Sequence, residues 1–273
     1  MRRNLFLIYL TFAFGCHAQD FSAYEGHYFN APELNMPYRY LRPANFDSSK
    51  KYPLIIFLHG AKAKGFDNEA QLSIGGRFFL SDSIRSHYPS YILFPQCPER
   101  DLWAYFETGT NPATVEQINF PFNKNPTQVS HVLMKLIDSL MDADEIDVHR
   151  IYIGGLSQGG MGVLDLIARY PKLFAGAFSI CGAGNISSAK NFAGQTALWL
   201  FHGEADDVVP VKFSRDYFKR LKKLKPFNGL ISMYGFTYNF MLLSKLLYTP
   251  YCWLSNRLYT LLPKLGFRVP SSL

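Results

Sequence analysis

The run Arg150-Ile151-Tyr152-Ile153-Gly154-Gly155-Leu156-Ser157-Gln158-Gly159-Gly160 leaves the rest of the chain little freedom in how it folds. Ile151 to Ile153 is a short apolar, β-branched run of the kind a buried parallel strand uses. From Met161 to Tyr170 apolar residues return at helical spacing (Val163, Leu166, Ile167, Tyr170). Ser157 therefore falls on a turn between a strand and a helix. Gly155 and Gly159 bracket it as G-x-S-x-G, and glycine two residues before and two after lets the chain turn sharply enough to hold the hydroxyl clear. The following helix points its N-terminus at the serine, where free backbone N–H groups can meet a developing oxyanion.

The 273 residues suffice for one large α/β domain with its own core, and no internal repeat or Pro/Ser linker divides them. Met1-Arg2-Arg3 followed by the uncharged apolar stretch Leu5 to Gly15 reads as a secretory signal, residues 1–18, too short to span a bilayer comfortably. Cleavage after Ala18 gives a secreted or periplasmic protein; lipid attachment at Cys16 is the alternative. The four cysteines show no metal-ligand spacing, and no metal or organic cofactor is expected. Cys97 and Cys181 read as buried small hydrophobes, with a bridge between them as the alternative.

The net charge of +7 dissolves once it is located. Of the 28 basic residues two lie in the signal and nine after Asp216, which leaves 17 against 21 acidic residues in between. That body is mildly acidic, which argues against a nucleic-acid partner.

Strand and helix signals alternate along the chain. Met36 to Leu41 suggests a first antiparallel strand, Pro53 to Leu58 a buried strand ending in His59-Gly60, Gly76 to His87 a helix, and Tyr91 to Phe94 a strand. Glu99 to Asn125 reads as a long loop over the site, and Thr127 to Met141 as an amphipathic helix. Phe174 to Cys181 and Thr196 to Phe201 are further strands, and Val211 to Lys225 is a basic helix. This order predicts a mostly parallel sheet with helices on both faces.

A serine hydroxyl needs a base, an orienting acid and oxyanion donors before it becomes a useful nucleophile. Asp206, in a loop after a strand, is the candidate acid. Its neighbour Asp207 is better placed to cap the helix that starts near Pro210. The N–H of Gln158 is one candidate oxyanion donor, and the N–H of Ala61, after His59-Gly60, is the other.

Five motifs in order carry a resemblance over roughly residues 36 to 225: Leu58-His59-Gly60-Ala61 with Gly65-Phe66-Asp67-Asn68; Pro95-Gln96-Cys97-Pro98 with Trp103; the Ser157 turn; Tyr170-Pro171-Lys172-Leu173-Phe174-Ala175; and His202-Gly203 running to Asp206 and Val209-Pro210. Together they resemble the secreted α/β-hydrolases grouped as predicted peptidases or dienelactone-hydrolase-like esterases, near feruloyl and acetyl carbohydrate esterases. The resemblance implies an α/β-hydrolase domain over residues 19–226. It also implies Ser157 as nucleophile, Asp206 as acid, Gln158 and Ala61 as oxyanion donors, and His59 and His202 in structural roles. The implied activity is ester hydrolysis on a small-molecule or polysaccharide ester. A serine peptidase of the same fold and a non-catalytic glycan-binding relative are the alternatives.

One departure weighs against these agreements. In this fold the order is Ser, Asp, His, with the base roughly 25 to 40 residues after the acid. Here no histidine follows His202, so no catalytic His is found, and no Asp or Glu follows Asp216. Residues 227–273 therefore form an atypical tail. Either the reading frame is lost near Pro226, so that the last strand, the His and the closing helix are missing or replaced, or the tail is genuine and Leu230 to Tyr248 is an interfacial or membrane-seeking segment. Contact with a membrane is expected only through that tail or through a lipid on Cys16.

Overall fold

The computed structural model describes residues 20–107, 118–122 and 125–224, together with the backbone of residues 231–236. Residues 1–19 with Cys16, which hold the stretch that reads from the sequence as a secretory signal, the middle of the loop after Glu99, Cys252 and the tail outside 231–236 lie outside the described residues. Eight strands form one sheet: β1 (Glu25–Asn30), β2 (Asn35–Leu41), β3 (Tyr52–Leu58), β4 (Tyr91–Pro95), β5 (Ile146–Leu156), β6 (Gly176–Ile180), β7 (Ala197–Gly203) and β8 (Ile231–Phe236). Their spatial order is β1-β2-β4-β3-β5-β6-β7-β8. β1 and β2 pair antiparallel, β2 pairs antiparallel with β4, and every later pairing is parallel.

β3 lies at the centre because all seven of its residues are buried and both its edges are paired. Its side chains divide by parity, as a strand's must. Leu54, Ile56 and Leu58 join one core with Ile151, Ile153, Leu198 and Leu200, while Ile55 and Phe57 join a second core with Ile92, Phe94, Trp199 and Phe201. The first core is covered by α3 (Gln128–Met141), α4 (Gln158–Arg169), α5 (Ala189–Phe192) and α6 (Lys212–Lys223), through residues such as Val132, Leu133, Val163, Ile167, Phe192 and Leu221. The second is covered by α1 (Gly76–Leu80) and α2 (Asp82–His87), through Phe79 and Ile84. The expected mostly parallel sheet with helices on both faces is thus present.

Four expectations need correction. The strand at Asn35–Leu41 is the second, because Glu25–Asn30 precedes it; that edge strand is mostly exposed, so it has no apolar run to announce it. The helix expected over Gly76 to His87 is broken at Ser81, whose backbone is extended (φ −62°, ψ 136°). β5 begins at Ile146, several residues before the apolar run that marked it. Of the last strand, expected to be missing or replaced, only the first alternative is overturned: Ile231–Phe236, from the atypical tail, pairs parallel with Leu198–Gly203 of β7. The run Ile-Ser-Met-Tyr-Gly-Phe is rich in β-forming residues, and the edge of β7 offers it unpaired N–H and C=O groups. The first residues of the segment read as interfacial or membrane-seeking therefore lie in the sheet. No helix among the described residues is long and apolar enough to cross a membrane.

Candidate active site

β3, β5, β6 and β7 run parallel, so their C-terminal ends open on one edge of the sheet. Ser157 follows β5 on that edge and immediately precedes α4. Its backbone lies at φ 54°, ψ −116°, a region that a residue with a side chain enters only under constraint. The constraint is visible on both sides: Ser157 N–H donates to the Ile180 carbonyl at 2.8 Å, and the Ser157 carbonyl accepts from Met161 N–H at 3.0 Å. The two flanking glycines make the approach possible. A Cβ on Gly155 would stand 2.5 Å from the Gly159 carbonyl carbon, and one on Gly159 would stand 2.0 Å from the Leu58 carbonyl oxygen.

The same crowding fixes the neighbouring loop. A Cβ on Gly60 would lie 3.7 Å from Ser157 Cβ, so the loop after β3 passes directly beside the serine. Ala61 opens a short helical turn there, and Gln158 opens α4. Backbone N–H groups at the start of a helical turn have no partner within it. The positive end of the α4 dipole adds to this field, making the space around Ser157 favourable to an oxyanion.

Asp206 lies past the end of β7, on the same edge. Its side chain is only 1% exposed. One oxygen, Oδ1, accepts from the N–H groups of Val208 and Val209 at 3.0 and 2.9 Å. This corrects the division of labour expected of the adjacent carboxylates, since Asp206 itself closes the turn ahead of α6, which no side chain caps. The other oxygen, Oδ2, is buried and without a hydrogen-bond partner of ordinary geometry. The thiol of Cys181 lies against the same carboxylate.

Both nearby histidines are fully engaged. His59 donates from Nδ1 to the Gly60 carbonyl at 2.7 Å and accepts at Nε2 from Cys97 N–H at 2.9 Å. Burial holds its pKa down to about 4. His202 donates from Nε2 to the Val209 carbonyl at 2.7 Å, so Nδ1 is the acceptor for the Ser214 hydroxyl at 2.7 Å. Burial lowers its pKa as well. Each imidazole thus ties a strand end to the loop that follows it, and neither offers a free nitrogen.

Cys97 and Cys181 are both free and buried, which removes the alternative of a bridge between them. Burial pushes both thiols up to about 12. What sequence reasoning missed is the position of Cys181: it directly follows β6, carries a positive φ of 49° and reaches the carboxylate of Asp206. No sequence signal marks that contact, because it depends on the pairing of β6 with β7.

A mostly parallel sheet that carries a serine at a strained strand-to-helix elbow on its C-terminal edge defines an α/β-hydrolase. The family profile described as Phospholipase/Carboxylesterase matches residues 46–235. The chain belongs to that family. Among solved structures it is similar to a thermostable esterase, with 31% identity and a TM-score of 0.73 over 92% of this chain. The chain spans 64% of that esterase's length. Two more distant likenesses show the shared fold. One is the acylaminoacyl peptidase of Pyrococcus horikoshii, with 18% identity and a TM-score of 0.54, covering 80% of this chain and 38% of that one. The other is a ferulic acid esterase from the anaerobic fungus Anaeromyces mucronatus, with 14% identity and a TM-score of 0.56, covering 79% of this chain and 83% of that one. No curated protein matches the chain.

Proposed function

We propose that this fold is built for serine-dependent hydrolysis of carboxylic esters, and that the 273-residue chain carries the machinery without its general base. The observation that carries the first part is the backbone of Ser157, held at φ 54° by bonds on both sides. Strain of this kind costs roughly 1–3 kcal/mol and persists where the surrounding structure over-determines it. In the proposed reaction Ser157 Oγ attacks the ester carbonyl carbon, and its proton passes to a base. The oxyanion is held by the N–H groups of Gln158 and Ala61. Collapse expels the alcohol and leaves an acyl-serine, which water then hydrolyses. Asp206 is the acid that would orient the base.

The second part rests on two supports. The sequence has no histidine after His202, and His59 and His202 have both ring nitrogens committed elsewhere. The buried Oδ2 of Asp206 is the oxygen to which an imidazole N–H would be donated in a complete triad. We place the substrate among small acyl esters and acylated polysaccharides, and the protein outside the cytoplasm after removal of residues 1–18. The missing base also favours a second reading, in which the pocket retains an esterified glycan without turning it over.

Restoration of the base tests the proposal. Histidine is substituted singly at Thr237, Tyr238, Asn239, Phe240 and Met241, the residues that follow β8 in sequence, and turnover of p-nitrophenyl acetate is followed. A general base is worth about 10²–10⁴-fold. At least one variant should gain about 10²-fold or more, and Ser157→Ala in that background should remove the gain. If no variant gains activity, or the gain survives Ser157→Ala, the assignment of roles is wrong.

A further inference from the structure

The basic helix α6 is a sequence feature that the ester chemistry leaves unused. Of its 12 residues six are basic and one, Asp216, is acidic, whereas the body of the chain is mildly acidic. Ser214, Tyr217 and Leu221 face the core, with Phe213 and Phe218 half-buried beside them. At about 100° per residue, the face opposite Tyr217 carries Lys212, Arg215, Lys219, Lys222 and Lys223. All five are exposed, and they form a stripe about 16 Å long.

Helix stability does not account for this stripe. Cations complement the helix dipole only in the last turn, which explains Lys222 and Lys223 but not Lys212 and Arg215 at the start. Like charges four residues apart repel, and Arg215, Lys219 and Lys223 form a ladder of such pairs. Two of the cations have partners: Lys212 Nζ donates to Asp216 Oδ2 at 2.6 Å, and Arg215 pairs with Glu204. Both pairs lie at the surface, where such contacts are weak enough to exchange for another anion. Among the described residues Lys219, Lys222 and Lys223 have no acidic partner, and Lys222 lies 5.1 Å over the Phe218 ring.

We propose that this face of α6 is a docking surface for an acidic polysaccharide, a linear glycan bearing carboxylate groups. Five cations along one line meet several charges of a single polyanion at once, and each contact releases counterions. A helix that binds a lipid surface buries its apolar face among the headgroups, and here that face packs on the sheet. The mildly acidic body argues against nucleic acid. α6 begins six residues after Asp206, so a glycan lying along the stripe brings its esters toward the edge that holds Ser157. The choice of a polysaccharide as the polyanion rests on the proposed ester chemistry, but docking needs neither Ser157 nor a base.

Affinity electrophoresis of the full 273-residue chain in gels containing polygalacturonate tests the surface. The unmodified chain should be retarded, and the retardation should fall as salt rises. The triple reversal Lys219→Glu, Lys222→Glu and Lys223→Glu should weaken binding by about tenfold or more. The reversal Lys51→Glu, Arg77→Glu and Lys172→Glu, at exposed positions elsewhere, changes the net charge equally and should weaken it by less than about threefold. No retardation of the unmodified chain would overturn the proposal, as would equal losses in the two triple variants. Tighter binding to phosphatidylserine vesicles or to duplex DNA than to polygalacturonate, at equal anion concentration, would equally overturn it. If the α6 triple variant does not fold, Lys219→Gln with Lys223→Gln decides: undiminished affinity there would sink the surface. No arm of this test reads ester turnover, so its failure leaves the hydrolase reading standing, and loss of that reading leaves the measured docking standing.

Discussion

At Ser157 the local backbone, more than the hydroxyl, distinguishes this serine from the others in the chain. Its strained dihedrals are held because Gly159 lets α4 approach the end of β3 to a distance that no side chain permits. Gly159→Val should therefore fail to give folded protein, since a Cβ there would sit 2.0 Å from a backbone oxygen. Gln158→Ala should keep its stability within about 1 kcal/mol, because the buried Oε1 of Gln158 has no hydrogen bond to lose. Thermal melts of the two variants check this, and a Gly159→Val protein melting like the parent would remove the steric basis of the elbow. His59 gives a second residue-scale expectation. It is held neutral, with its pKa lowered from 6.5 to about 4. The unfolded chain therefore binds the extra proton between about pH 6.5 and 4. This contribution is fully present above the unfolded value and is lost as pH falls through that window, by roughly 3 kcal/mol in all. Burial lowers the pKa of His202 too, and its contribution has the same sign. Urea unfolding at pH 7 and pH 4.5 should show the fall, and His59→Gln should flatten it; an equally steep fall in His59→Gln would exclude His59 as its source. The places of Ser157 and Asp206 beyond strand ends were legible in the sequence because each sits in a short pattern tied to a strand. The choice between Asp206 and Asp207 for the turn was not, since adjacent loop carboxylates look alike until the backbone direction is known. Cys181 was less legible still, as its contact with Asp206 is made across two strands.

The elements follow the apolar pattern wherever one face or both are buried. β3 announces itself because every residue is buried, and α3 because Val129, Val132, Leu133, Leu136 and Ile137 line one face. β1 does not, because an edge strand with a mostly exposed surface needs no apolar alternation. β8 was hidden for the opposite reason: apolar residues continue past it in sequence, so its boundary carries no contrast. α3 is also anchored at its start in a way that yields a direct expectation. Thr127 Oγ1 accepts from Ser130 N–H at 3.2 Å, and Asp101 Oδ2 accepts from Val129 N–H at 2.8 Å, tying the loop after β4 to the helix. Thr127→Ala should cost about 0.5–2 kcal/mol of stability in denaturant unfolding, because a buried N–H loses its acceptor. A change below about 0.3 kcal/mol would mean that Asp101 alone supports the helix start.

For the molecule as a whole, the order of the strands is what makes a site. Placing β3, β5, β6 and β7 side by side and parallel gathers the Ala61 loop, the Ser157 elbow, Cys181 and Asp206 on one edge from positions far apart in the chain. Membership of the phospholipase/carboxylesterase family over residues 46–235 agrees with that arrangement. The proposal that the assembled edge lacks its base in this chain is tested most directly by turnover of p-nitrophenyl acetate by the purified 273-residue chain and by Ser157→Ala. Where a triad is already broken by loss of its histidine, about 10⁶ in kcat is gone, and removing the serine as well changes little. Against ordinary values of about 1–10³ s⁻¹, the account predicts a kcat at least about 10³-fold lower, with less than about a tenfold difference between the two proteins. A kcat in the ordinary range that collapses by several orders of magnitude in Ser157→Ala would contradict it, and would show that the chain supplies its own base.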